Sequence, residues 1–506
     1  MEEKMKKILF LLLVFLIALS SAFAAASQEK ATDVIKEELI IGTDENVTTL
    51  DPQGSNSRPN NQLFTHTHNT LVKDDGNGGF VNDLAESYEQ ISDLEWVFHL
   101  RKGVLFHNGE EMKASDVVFT YNRAFNSSFT KDYVSHFAKV EAIGDYDVKI
   151  TLKDNYQDLL FSLKNRTLSI LCEKAVNADP EKGTSIGTGP FVLKEWIMND
   201  HTTIVRNENY WGEKAPSKYI TWRIIPEASA RMISLATGEI DVCLYPASID
   251  LPTIRANKDL VVLAAQGDTM NYVTFNTTRA PFNNIDVRHA FAYAIDRAEV
   301  LEVAAEGNGS IAYTFFSPGY GKTDDVEHYD YNPEKAKELL AAAGYNENNP
   351  LKVTLICSGN AKELQAQVIQ RNLKAVGVEV AIETMELTVL KQKFKEADYD
   401  FSLYNWANTG YGPDSNCRPI LGSGSGSNRS HFADPVFDDI INRAIVEGSN
   451  EKRLELYKEA QQYAIGQLPI MPLYYEDIYV PATKNIVGFT PSAFGSFNFT
   501  MAYVKL

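Results

Sequence analysis

The chain has 506 residues, 44% of them apolar and 23% charged, with a formal net charge of −19. That length exceeds a single hydrophobic core and divides into two or three domains. The acidic balance argues against a nucleic-acid or anionic-membrane partner, which needs basic patches. Four scattered cysteines (Cys172, Cys243, Cys357, Cys417) with no CxxC pair argue against a disulfide framework or a zinc site, so no metal or cofactor is expected.

Lys4, Lys6 and Lys7 precede the apolar run Ile8–Leu19, and Ala22-Phe23-Ala24 is a small-x-small cleavage pattern. The run is shorter than the ~20 residues that span a bilayer core of roughly 30 Å. Residues 1–24 therefore read as a signal peptide cleaved near Ala24. No cysteine precedes Cys172 to carry a lipid anchor, so the expectation is a free, secreted, non-membrane protein. Glu38–Thr43 reads as a first strand ending in the polar loop Asp44-Glu45-Asn46, which makes Asn46 a candidate ligand contact. Leu63–Val72 reads as a short helix. His66 and His68 on it are two residues apart and fall on different faces, which argues against a metal pair. Further on, Trp96, Phe98 and Leu100 alternate as a half-buried strand. Asn108-Gly109 is a turn pair, and Ser115 or Asp116 is placed to cap a helix through Phe125.

Gly183-Thr184-Ser185-Ile186-Gly187 matches GxSxG, but a nucleophile elbow needs a strand before the serine and a helix after it. Here the order is inverted, with the strand Phe191–Trp196 following, so no hydrolase is expected. Gly321-Lys322-Thr323 resembles the end of a P-loop, yet Phe316 stands where its first glycine belongs.

The strand, FHNG turn and capped helix of 84–125 resemble the signature of the family 5 extracytoplasmic solute-binding proteins of ABC importers. Later blocks resemble that family in order: Gly187-Thr188-Gly189-Pro190-Phe191 with Arg206 through Trp211, then Phe275-Asn276, Pro281-Phe282, Asp286-Val287-Arg288 and Ala294 through Arg297. The last is Asn332-Pro333-Glu334 through Gly344-Tyr345, where Asn332 caps a helix, Pro333 opens it and Gly344 closes it. The resemblance implies an α/β, two-lobe periplasmic-binding-protein-like fold with an extra α+β subdomain in lobe I. It places lobe I at about 27–270 with the subdomain at about 76–185, lobe II at 277–473, and a return to lobe I at 479–506. The crossings are expected near Met270–Asn276 and Leu473–Asp477. It further implies a periplasmic monomer that captures a small-molecule or peptide ligand by lobe closure and delivers it to an inner-membrane ABC permease with its ATPase.

The residues themselves point to where that ligand sits. Leu351–Cys357, Val378–Thr384 and Asp400–Trp406 read as strands, separated by helices over Lys362–Val376 and Leu387–Ala397. Gly377 terminates the first helix. Such a β-α-β-α-β run forms a parallel sheet, and ligands bind beyond the carboxyl ends of its strands. That rule selects the loops Ser358–Asn360, Met385–Glu386 and Ala407–Tyr411. Ser358, Asn360, Asn405, Trp406, Asn408, Thr409 and Tyr411 are the candidate contacts there.

In dipeptide-binding relatives an aspartate in the last of these turns holds the ligand amine and an arginine after the first strand holds its carboxylate. This chain has neither, offering only Lys362 in the first loop, with Glu386 and Arg418 as replacement candidates for amine and carboxylate. A buried charge without its partner costs several kcal/mol, so a strict dipeptide binder is disfavoured. A longer peptide read through its backbone by Asn405, Asn408 and Thr409 is preferred. The alternatives are an oligosaccharide or metal chelate stacked on Trp406 and Tyr411, or a secreted chaperone or interaction protein without transport.

Overall fold

The structure, a computed structural model, describes residues 34–407, 412–492 and 497–506; the leader and the expected contacts Asn408, Thr409 and Tyr411 lie outside the described residues. Among the described residues eleven strands join one sheet. They are β1 (Glu38–Thr43), β2 (Phe191–Ile197), β3 (His201–Arg206), β4 (Tyr219–Ile224), β5 (Val242–Cys243), β6 (Leu260–Phe275), β7 (Gly309–Ile311), β8 (Leu351–Cys357), β9 (Val378–Thr384), β10 (Phe401–Ala407) and β11 (Ile470–Thr483). Their order is β9-β8-β10-β6-β11-β5-β1-β4-β3-β2, with β7 pairing β11 off this path. The helices that bear on the site are α1 (Arg58–Thr67), α2 (Ala114–Ala124), α3 (Leu159–Leu163), α4 (Asn360–Ala375), α5 (Leu387–Glu396), α6 (Asp414–Leu421), α7 (Pro435–Val446) and α8 (Asn450–Gln467).

The β8-α4-β9-α5-β10 unit forms as its periodicity requires, with β8 central and parallel to both β9 and β10. Gly377 leaves α4 at φ +86° and Gly344 ends the helix Pro333–Ala342 at φ +91°, the left-handed backbone that glycine adopts without strain. One leucine of α4 faces outward. Leu364 is 44% exposed, and its neighbour Gln365 turns inward to donate to the Tyr474 hydroxyl at 2.7 Å. Two other expected helices shift. The one sought at Leu63–Val72 is α1, begun earlier after Ser57 with Pro59 in its first turn. In α2 neither Ser115 nor Asp116 is the cap; Asp116 lies inside the first turn and accepts from the Lys113 amide at 2.8 Å.

Apolar side chains gather in separate cores. One joins Phe275, Phe282, Phe291 and Phe401 with α4, α7 and α8. A second lies under β1, β4 and the C-terminal Phe497 and Phe499. A third fills the region Leu71–Cys172 behind α2 and a separate four-stranded antiparallel sheet. Among the described residues only β6 and β11 run through both halves of the large sheet. Leu260–Gln266 pairs with Asp477–Thr483, Met270–Thr274 pairs with Ile470–Tyr475, and the register shifts between Gln266 and Met270. At that shift β6 presses on β11 so closely that a Cβ on Gly267 would lie 2.2 Å from the Glu476 carbonyl oxygen. The pairing of β6 with β11 thus passes from Leu260–Gln266 to Met270–Thr274 through Gly267–Thr269. Thr269–Phe275, which covers most of the segment expected as the crossing, also pairs along β10.

The sequence blocks have structural explanations. A Cβ on Gly187 would sit 2.1 Å from the Thr67 carbonyl oxygen, and one on Gly189 would sit 2.4 Å from the Thr67 carbonyl carbon. Both glycines let that loop lie against the end of α1. Arg288 donates to the Phe282 and Gln467 carbonyls at 2.6 and 2.7 Å. Arg297 donates to those of Tyr329 and Pro472 at 2.5 and 2.8 Å. Both arginines are buried and tie loops to the second-half core. Ser185 lies in a short 3₁₀ turn, Gly183–Ser185, with its hydroxyl on the Lys182 carbonyl, not on a strand-to-helix elbow.

Candidate functional site

Three strand ends bring several expected contacts to one edge of the second half. Ser358 follows β8 and is half-buried, whereas Asn360 is exposed as the first residue of α4 and Glu386 is exposed at the N-terminus of α5. On β10 Asn405 is exposed and Trp406 half-buried, opposite Asn271 and Met270 of β6. Alternation along the strand turns Trp406 towards the second-half core, against which it packs. Its buried indole N–H has no hydrogen-bond partner among the described residues.

Lys362, the one cation in the first loop, is withdrawn from the ligand edge. Its ammonium donates to the Asn271 Oδ1 and lies 3.4 Å from the Tyr404 carbonyl and from Gln365 Oε1. Asn271, fully buried, donates onward to Glu476 at 2.7 Å. Burial lowers the Lys362 pKa to about 8. Nearby at the crossing, burial pushes the Asp268 carboxyl up to about 7, with the Glu476 charge adding to the shift. The chain Lys362–Asn271–Glu476 thus fastens the start of α4 to both crossing strands.

Two further expected contacts have partners within the chain. Both ends of the Asn46 amide bond to Asn199, donating at 2.9 Å to its side chain and accepting at 2.6 Å from its backbone. Asn46 therefore pins the β2–β3 hairpin to the end of β1. Arg418 holds Asp414 bidentately at 2.8 and 2.9 Å and Asn442 at 2.9 Å. Its charge is balanced within its own helix by Asp414.

The two halves share a cavity of about 470 Å³. Tyr133, Tyr156, Asp158 and Phe161 line it from the first half; Gly412, Asp414, Arg418 and Pro419 line it from the second. It thus offers aromatic faces beside hydrogen-bonding groups, in contact with the segment that directly follows 408–411. Burial pushes Asp158 up to about 7, with Asp414 adding and Arg453 opposing. A smaller, mostly apolar recess lies beyond the carboxyl ends of β1, β4 and β5, between Leu63, Trp222 and Leu244. Its mouth holds Asp44, Glu45 and Arg58, with the Arg58 guanidinium 4.0 Å above the Tyr245 ring.

Sequence reading missed the first-half wall of the cavity. Asp158 before the apolar LLFSL of α3 has the form of a helix cap, and nothing in that pattern signals a wall facing the other half. His66 and His68 are both buried, His66 accepting from the Phe499 amide at 2.9 Å beside Trp222 and Phe499. Burial holds their pKa values at about 4 and about 3, so both are neutral packing groups.

Comparison with known proteins agrees with this architecture. The model of the bacterial extracellular solute-binding proteins, family 5 (middle) matches residues 79–428. The chain is 30% identical to the heme-binding protein A of Haemophilus influenzae, over 81% of this chain and 82% of that protein. It is 28% identical to the dipeptide-binding protein of Escherichia coli, over 88% and 92% respectively. Among solved structures it is similar to HbpA2 from Haemophilus parasuis, with a TM-score of 0.86, 26% identity, and coverage of 93% and 100%. It also matches DppA from Helicobacter pylori in complex with the peptide STSA, with a TM-score of 0.70, 26% identity, and coverage of 93% and 99%. With a family model spanning most of its length and these relatives sharing its two-lobed fold, the chain belongs to the family 5 bacterial extracellular solute-binding proteins.

Proposed function

We propose that the protein is the capturing component of an ABC importer, taking a peptide-class ligand between its halves and handing it unchanged to a membrane permease with its ATPase. The observation that carries this reading is the cavity shared by the two halves. Its volume of about 470 Å³ lies within the ~300–1,000 Å³ of ordinary ligand pockets. Tyr156 and Phe161 offer stacking surface, and Asn405, Asn408 and Thr409 lie on or just beyond the strand that leads into the wall at Gly412. A ligand that touches both walls favours whichever arrangement of the halves lets it do so, which is all that capture by closure requires. No covalent step is needed, and the protein is read as a binder and not an enzyme.

The lobes are taken as 27–270 with 479–506, and 277–473, with 76–185 as the subdomain. The ligand is read as longer than a zwitterionic dipeptide. Lys362 is consumed by Asn271 and Arg418 by Asp414, so the carboxylate of a dipeptide meets no free countercharge on these two cations. Glu386, exposed at the head of α5, is the remaining position for a ligand amine. The leader directs export, with cleavage near Ala24, and the mature protein acts as a monomer outside the inner membrane. Among the described residues no helix is long and apolar enough to cross a membrane.

A thermal-shift screen of the mature protein against tri- to pentapeptides, oligosaccharides, nickel chelates and haem tests the reading. A ligand at 100 times its Kd adds about 2.7 kcal/mol of stability. Peptides are expected to raise Tm. A response confined to sugars, chelates or haem would replace the peptide reading, and silence from every class would remove the transport reading.

A further inference from the structure

Away from the crossing strands, the first half grips the second at another place. The Gln157 amide donates to the Ile445 carbonyl at 3.1 Å, and Arg453 Nη1 donates to the Gln157 carbonyl at 2.6 Å. Asn155 Nδ2 donates to the Val446 carbonyl at 3.0 Å. Asp158 and Arg453 form an ion pair at 3.4 Å with side chains only 2% and 8% exposed. Phe161 meets the Tyr320 ring at a centroid distance of 5.1 Å. Residues 155–161 belong with the first-half core of Leu71–Cys172, whereas Ile441, Ala444 and Tyr457 anchor α7 and α8 in the second. The fit is tight: a Cβ on Gly412 would stand 2.3 Å from Asp158 Oδ2. It is also incomplete, because among the described residues Asp158 Oδ1 and Arg453 Nε are buried without hydrogen-bond partners while their side chains face each other.

We propose that segments 155–158 and 445–453 form an interlobe clasp that sets the resting separation of the halves, with Asp158 and Arg453 as its positioning residues. Rotation about Gly267–Thr269 that separates the halves has to break the Asn155–Val446 and Arg453–Gln157 hydrogen bonds, since these join the same two bodies. Asp158 is at once a member of the clasp and a wall of the shared cavity. Occupancy of the cavity and engagement of the clasp are therefore coupled through one side chain. The inference rests on the two-lobe capture reading for the purpose of the motion, but the contact and its test require no ligand.

The test is the distance distribution between spin labels in the ligand-free mature protein, attached through Lys139→Cys and Lys391→Cys, both on exposed positions and one in each half. Arg453→Gln removes the buried cation. Asn155→Asp sets a carboxylate against the carboxyl end of α7, where the carbonyl dipoles repel it, and leaves the buried pair in place. It keeps the test decisive if Arg453→Gln does not fold. Both variants are expected to shift and broaden the distribution relative to the parent. A parental distribution in Asn155→Asp, or in folded Arg453→Gln, would overturn the clasp while leaving ligand capture untouched.

Discussion

Replacing Lys362 by methionine separates a structural cation from a ligand anchor. The ordinary lysine pKa is 10.5, and burial lowers it to about 8. At about 1.4 kcal/mol per tenfold, keeping the ammonium form at pH 7 costs about 3 kcal/mol relative to the unfolded chain. Methionine removes that cost but strips Asn271 Oδ1 of its donor, a loss of about 1–3 kcal/mol for a buried polar group. The two nearly cancel, so Lys362→Met is expected within about 2 kcal/mol of the parent at pH 7, as apolar replacements of buried charges often are. The sign of the pH dependence is sharper. Between pH 8 and 10.5 the unfolded chain binds the proton that the folded chain has released, so this residue makes stability rise with pH across that window. Urea denaturation at intervals from pH 7 to 10.5 should show that rise in the parent and its loss in Lys362→Met. An identical slope in both would refute the burial argument. Because the ammonium is consumed by Asn271, peptide affinity should survive the substitution; its abolition would restore Lys362 as a ligand anchor.

Trp406→Ala should weaken peptide binding at least tenfold, about 1.4 kcal/mol, with far-UV circular dichroism unchanged; equal affinities by calorimetry would remove Trp406 from the site. The buried histidines make acid destabilising. Their ordinary pKa is 6.5, while burial holds His66 and His107 at about 4 and His68 at about 3. Their contribution is complete above pH 6.5 and is lost as the pH falls through those lower values. His68→Gln should make Tm less sensitive to pH across pH 3–6.5, and an unaltered dependence would count against a buried neutral imidazole. Asp268 acts in the opposite sense, its carboxyl raised from 3.8 to about 7. The stability it confers is present below pH 3.8 and fades as the pH rises through about 7. Asp268→Asn should flatten that decline in denaturant titrations, and a decline of parental size would show that another group is responsible.

Much of the frame was legible because local patterns and tertiary packing agree. The apolar alternation of 351–406, Gly377 and the Asn332-Pro333 opening each specify an element that the fold leaves undisturbed. The site was less legible, since a side chain's commitment depends on what the fold brings beside it. Asn46 and Arg418 look available in sequence, yet Asn199 and Asp414 occupy them. Lys362 sits in a loop at the ligand edge by pattern and turns inward because Asn271 and Glu476 lie beneath it. Asp158 and Arg453, 295 positions apart, carry no shared signal in the chain and meet only across the two halves.

Titration calorimetry of the tightest peptide from the screen, against the parent and against Ser128→Trp, tests the central claim most directly. Ser128 is an exposed residue lining the shared cavity, and an indole there adds bulk to its wall. The account predicts one site per chain in the parent and loss of binding in the variant. Undiminished binding by Ser128→Trp would place the ligand outside the space between the halves and contradict the account.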